Sequence, residues 1–101
     1  MELLSFMVDF TLPEEIDEEF LDLIPEQRTR VAELFKQNRL TSYTLSADRS
    51  KLWATFLAKS KRELVYLLDT FPLTPYMQYT IYTLAFNEQN SSASIPVISL
   101  N

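Results

Sequence analysis

The stretch Phe71-Pro72-Leu73-Thr74-Pro75-Tyr76-Met77 sets two prolines between a helical pattern and an extended one, and it constrains the fold more than any other part of the chain. Proline has no backbone N–H and drives the residue before it out of helical geometry. A helix is therefore expected to end at Phe71, the chain to run extended through Tyr76, and a strand to occupy Met77 to Phe86. The N-terminal segment has the period of two of a strand as well. Leu4, Phe6, Val8 and Phe10 alternate with Ser5, Met7, Asp9 and Thr11, which predicts one strongly apolar face.

After Leu12-Pro13, the residues Ile16, Phe20, Leu23, Ile24, Val31, Leu34 and Phe35 recur near helical spacing. They predict a long amphipathic helix, kinked or restarted at Pro25. Six acidic residues between Glu14 and Asp22 crowd its early turns, while Lys36 and Arg39 lie at its end, as the helix dipole favours. That charge run reads most simply as a solvated helix face. Thr41 to Ser46 and Lys51 to Ala58 read as strands of an antiparallel hairpin closed by Ala47-Asp48-Arg49-Ser50. Ser60-Lys61-Arg62-Glu63 fits a capping box at the start of a second helix, with Leu64, Val65, Leu67, Leu68 and Phe71 as its buried stripe.

The order strand, helix, strand, strand, helix, strand predicts an α+β, ferredoxin-like βαββαβ fold: a four-stranded antiparallel sheet with both helices on one face. Two helices leave the other face bare. Leu52 to Ala58 is nevertheless apolar on both faces. At roughly 25 cal/mol per Å² of apolar surface, a wet second face forfeits many kcal/mol in a domain whose net stability is about 5–15 kcal/mol. A homodimer, sheet stacked on sheet, or a higher homo-oligomer through that face, is the expected remedy. One domain is expected over residues 1–88, followed by a polar tail, 89–101, in which Ile95-Pro96-Val97-Ile98-Ser99-Leu100 forms an edge or swapped segment. Asn90-Ser91-Ser92 matches a glycosylation sequon and is read as chance.

Composition excludes more chemistry than it suggests. The 101 residues include no cysteine and no histidine, which removes disulfides, thiolate nucleophiles, imidazole relays and the usual zinc sites. Glycine is absent too, which argues against the phosphate-cradling loops of ATP, NAD and FAD sites, so no cofactor is expected. Metal binding is not expected either, because the acidic run lacks the alternation and glycine of a calcium loop. With 14 acidic against 9 basic residues and no basic stripe, nucleic acid is disfavoured as a partner. The start, Met1-Glu2-Leu3-Leu4-Ser5-Phe6, lacks a cationic leader and is interrupted by Asp9, so neither a signal peptide nor a membrane span is expected, and the cytoplasm is the expected location.

Phe6-x-Val8 leading to Thr11-Leu12-Pro13, the long helix, the hairpin from Tyr43 to Phe56, Ser60-x-x-Glu63-Leu64 and the Phe71 to Met77 run together resemble the muconolactone delta-isomerase family over about residues 3 to 86. The most specific element is Pro72-Leu73-x-Pro75-Tyr76-Met77. The resemblance implies a dimeric α+β barrel with a pocket between the sheet and its partner, and a cofactor-free enzyme that moves a proton within an unsaturated, carboxylated lactone. It also exposes departures. Family members that isomerise the lactone carry a histidine and a lysine on the inward side of the first strand, where this chain has Ser5 and Met7. The His-Pro-Ser-Ser typical after the last strand is replaced by Asn87-Glu88-Gln89-Asn90-Ser91-Ser92.

Several residues are candidates for the chemistry, each with a plainer reading beside it. If the apolar side of the first strand packs on the helices, Asp9 faces the partner sheet, where a partly desolvated carboxylate suits proton abstraction beside a carbonyl. The plainer reading is an Asp near a strand end that is simply wet or paired. Glu26, just after Pro25, is the candidate second member of an acid/base pair, or an ordinary first-turn glutamate. Arg49 in the hairpin turn suits a bidentate clamp on a substrate carboxylate, or is a surface turn residue. Tyr43, Trp53, Tyr76 and Tyr79 are expected to line a pocket for a small unsaturated ligand, or to serve as core and interface. Two functions follow: a cofactor-free isomerase acting on a small lactone or enol, and a non-catalytic dimeric barrel that binds a small apolar molecule or serves assembly.

Overall fold

A computed structural model describes residues 2–88. The sequon at Asn90 and the expected edge segment from Ile95 to Leu100 lie outside the described residues. The elements are β1 (Leu4–Thr11), α1 (Glu18–Lys36), β2 (Leu40–Leu45), β3 (Lys51–Ala58), α2 (Lys61–Asp69), a single 3-10 turn (Thr74–Tyr76) and β4 (Gln78–Thr83). The strands form one sheet in the order β2-β3-β1-β4, with every neighbouring pair antiparallel. This is the ferredoxin-like βαββαβ arrangement that the sequence predicts. No described helix is long and apolar enough to cross a membrane.

Local chemistry explains the helix ends. Asp17 caps α1, its Oδ1 accepting from the Phe20 N–H at 2.9 Å, and Glu18 and Glu19 occupy the first turn. At the other end Arg39 N–H donates to the Leu34 carbonyl and Asn38 N–H to the Phe35 carbonyl. This Schellman pattern calls for a left-handed residue, and in a chain without glycine Asn38 takes the role at φ 58°. The expected restart at Pro25 does not occur. α1 runs unbroken for 19 residues, with Pro25 on its exposed side, where the loss of one backbone donor is tolerated more easily than in the core.

The Ser60 hydroxyl accepts from the Glu63 N–H at 3.1 Å, as a capping box requires. The reciprocal bond of the box shifts by one residue, since Glu63 accepts from the Lys59 N–H at 3.1 Å rather than from the capping Ser60, and it pairs with Arg39, whose guanidinium holds the carboxyl below its ordinary range. The segment after α2 departs from the extended path expected through Tyr76. Pro75 stands second in the 3-10 turn, still within the first helical turn, where its fixed φ and missing donor are tolerated. The Thr74 hydroxyl, buried, anchors that turn by donating to the Leu68 carbonyl at 2.7 Å.

Alternation sorts the sheet into two unlike faces. Phe6, Val8, Phe10, Leu52, Ala54, Phe56 and Ala58 point toward the helices and form the core with Phe20, Leu34, Leu64, Leu68 and Phe71. Phe56 and Phe71 meet at a ring-centroid distance of 6.0 Å, tilted as aromatic pairs prefer. The other face presents Ser5, Met7, Asp9, Thr11, Thr44, Lys51, Trp53, Thr55, Leu57, Thr80 and Tyr82, and no described element covers it. It is less apolar than the Leu52 to Ala58 run suggests, because hydroxyls and charges stand between Met7, Trp53, Leu57 and Tyr82. Thr55 is only 3% exposed there, enclosed by the Ser42 hydroxyl, which donates to it at 2.8 Å, and by the Met7 sulfur at 3.7 Å.

Candidate functional site

The described cavities gather at one end of the molecule, where β1 leaves the sheet, the β2–β3 hairpin turns and α1 begins. An inner hollow of about 180 Å³ lies between α1 and the helix-side face of the sheet, walled by residues that include Phe20, Ile24, Gln27, Tyr43, Leu52 and Met77. A second, of about 340 Å³, shares Leu12, Phe20, Ile24 and Leu45 with it and extends to Ile16, Leu21 and Arg49. Together they make an apolar cleft with Arg28 beside the inner part and Arg49 beside the outer. A third hollow, of about 300 Å³, is walled by Thr11, Leu12, Pro13, Glu14, Tyr76 and Gln78.

One polar pair stands in the wall of the inner hollow. Gln27 is 3% exposed and lies on the buried stripe of α1 with Phe20, Val31 and Leu34. The Leu73 N–H donates to its Oε1 at 3.1 Å, and its Nε2 donates to the Tyr43 hydroxyl at 3.0 Å. A backbone N–H can only donate, so the amide orientation is fixed and the tyrosine oxygen must be the acceptor. Burial pushes the Tyr43 pKa up, against the smaller opposing effect of the Gln27 bond, so the phenol stays neutral at ordinary pH. Sequence reasoning missed Gln27 because a polar side chain breaks no helical pattern. The signal was its spacing, seven residues after Phe20 and four before Val31, which puts it among the buried positions.

The hairpin turn that carries Arg49 is built around Asp48. Its Oδ1 accepts from both the Ser46 and Ser50 hydroxyls at 2.7 Å and from the Ser50 N–H at 3.0 Å. These bonds, the Ser50 hydroxyl foremost, hold the carboxyl at a pKa of about 2. Arg49 N–H donates to the Ser46 carbonyl at 2.9 Å, and Arg49 itself sits in the left-handed region at φ 62°. Its guanidinium makes no hydrogen bond or ion pair with any described side chain.

The sequence-derived candidates scatter. Asp9 lies on the open face, opposite Trp53 and Thr80 in register, with Lys51 Nζ 3.2 Å from its Oδ1. Glu26 is exposed on α1, so the sheet stands between these two carboxylates and they form no pair. Tyr43 and Arg49 border the cleft, whereas Trp53 projects from the open face, since Tyr43 pairs with Ala54 in register and Trp53 is the next residue along. Tyr76 borders the third hollow, edge-on to Phe20 at 6.0 Å, and hydrogen bonding toward the Glu19 carboxylate raises its pKa. Tyr79 packs on Phe10 at 5.8 Å on the helix side and does not border the cleft. No carboxylate borders the two apolar hollows, and the third has Glu14. Among the described residues no cluster of three or more carboxylates is placed to hold a metal ion.

Strand order, helix placement and cleft define a ferredoxin-like α+β protein with an apolar recess between its long helix and its sheet. The chain belongs to the muconolactone delta-isomerase family, whose pattern it matches over residues 4–89. A solved crystal structure of muconolactone isomerase superposes with a TM-score of 0.71, covering 87% of this chain and 95% of that one at 21% identity, a likeness that shows the shared fold. No curated protein sequence matches the chain.

Proposed function

We propose that this isomerase-like protein holds a small, largely apolar molecule in the cleft between α1 and the sheet. The carrying observation is the cleft itself: a recess of about 180 Å³ that shares Leu12, Phe20, Ile24 and Leu45 with a neighbouring apolar hollow of about 340 Å³. An apolar cavity of roughly 150 Å³ is enough to accept benzene, so one ring fits the inner part. Family membership supports an unsaturated lactone or enol as the ligand type. Ile24 borders both hollows and is only half-buried, so Ile24→Trp fills the cleft with little effect on the core. Titration calorimetry with muconolactone and related lactones is expected to show binding to the unmodified chain and none to Ile24→Trp. Equal heats from both proteins discard the cleft.

A second reading, a cofactor-free proton-shift isomerase, is favoured by the family match. What it lacks is a base in the apolar hollows, where Gln27 is neutral and Asp9 lies across the sheet, paired with Lys51. Incubation with muconolactone in deuterated water separates the two. Deuterium incorporated beside the carbonyl supports turnover, and its absence with retained binding supports a ligand holder. We also propose that two copies stack through the open sheet face, burying Met7, Trp53, Leu57 and Tyr82. Light scattering at micromolar concentration should give twice the chain mass, and a monomeric mass rejects the stacking.

A further inference from the structure

Arg49 combines three properties that a plain surface arginine does not need. Its backbone is left-handed at φ 62°, a region costly for a residue with a Cβ and ordinarily given to glycine or asparagine. Its guanidinium is uncommitted among the described residues, although Asp48 is its immediate neighbour. It borders the wider of the two apolar hollows, otherwise walled by Leu12, Ile16, Phe20, Leu21, Ile24 and Leu45.

The turn explains how an unpaired cation persists beside an aspartate. Asp48 directs its Oδ1 to three donors from Ser46 and Ser50. The carboxylate that would otherwise quench Arg49 thus serves the turn, and the turn fixes where Arg49 leaves the backbone. Arg28, beside the inner hollow, stands on an ordinary stretch of α1. Strain of this kind persists where the surrounding structure imposes it, and it gathers at ligand clamps.

We infer that Arg49 is a specificity-determining residue that commits the cleft to ligands with an apolar body and one carboxylate, and that Asp48 is its positioning residue. This rests on the cleft reading above. An arginine fork takes a carboxylate through two parallel N–H···O bonds, and beside an apolar wall that pairing is less screened than in open water. The neutral amide of the same ligand forfeits it.

The test uses the full chain and two probes of equal shape, 3-phenylpropanoate and 3-phenylpropanamide, titrated by calorimetry at low and high salt. The wild-type chain is expected to prefer the carboxylate by about tenfold, the scale of a charge-assisted hydrogen bond, and to lose part of that preference in salt. Arg49→Gln is expected to bind both probes equally, and Arg62→Gln, exposed on α2 and away from the cleft, to keep the preference. Arg49→Gly is expected to lose the preference while melting at or above the wild-type temperature, because glycine accepts the left-handed turn. Equal binding of the two probes by the wild-type chain, or an unchanged preference in Arg49→Gln, overturns the assignment and leaves the cleft standing. A lowered melting temperature for Arg49→Gly also overturns it, since the arginine would then serve the turn. If neither probe binds at millimolar concentration, the cleft reading falls and this inference with it.

Discussion

The two faces of the sheet are made by the same strands in the same register, yet they are built to different standards. Toward the helices, Phe6, Val8, Phe10, Ala54 and Phe56 are at most 1% exposed and sealed by α1 and α2. Away from them, Asp9, Thr11 and Lys51 form a small polar network, with Lys51 Nζ reaching Asp9 at 3.2 Å and Thr11 at 2.9 Å, and Trp53 is 38% exposed. The first face needs no second molecule. The second leaves Met7, Trp53, Leu57 and Tyr82 uncovered by any described element.

The sharpest way to probe this contrast is a pair of truncations on β3. Phe56→Ala should cost about 3–5 kcal/mol in urea unfolding, the range for a buried aromatic. Trp53→Ala should cost about 1 kcal/mol or less if the open face stays wet. Were the two to cost the same, the open face would be as buried in solution as the core, and the contrast would fail in favour of stacked copies. Trp53 is the only tryptophan, so its emission should also shift to the blue with rising concentration if such stacking occurs.

Next in size is the polar pair inside the otherwise apolar face. Gln27→Leu leaves the buried Leu73 N–H without a partner and deprives the Tyr43 hydroxyl of its donor, a loss of about 1–3 kcal/mol by chemical denaturation. A neutral result would show that the helix-side face does not depend on this pair. Smaller again, Asn38→Gly should stabilise by about 0.5–1 kcal/mol in the same assay, because glycine occupies the left-handed position after α1 without a Cβ clash.

The smallest effect is one of pH. The Asp48 carboxyl is held at about 2 in the folded chain against 3.8 ordinarily, so its contribution is complete above about pH 4 and is lost as pH falls toward 2. Glu63 is depressed in the same direction by Arg39. Thermal melts of Asp48→Asn should therefore fall less steeply than wild type between pH 4 and 2. Parallel curves would remove Asp48 from the acid response.

The fold was legible because its signals are local and periodic. Alternation in β1 and β3, the Ser60 cap and the proline pair each report on a few consecutive residues, and the elements follow. Pro75 misled only in detail, since a proline that cannot continue one helix is tolerated in the first turn of the 3-10 segment that follows. The site was less legible for reasons of register. Tyr43 and Trp53 look alike in sequence, but pairing puts Tyr43 opposite Ala54 and turns Trp53 to the other face. Asp9 and Glu26 seemed a plausible pair until the sheet came between them. Gln27 carries no charge and breaks no pattern, and only its two partners, 16 and 46 residues away, reveal what it joins.

That junction makes one amide unusually informative. Gln27 ties the middle of α1 to β2 on one side and to the backbone after α2 on the other, so the Leu73 amide proton is guarded by a side chain from a distant helix. Isotope exchange at that single position tracks how often α1 lifts from its seat, and a molecule lodged beneath the helix would slow the exchange without touching Leu73 itself.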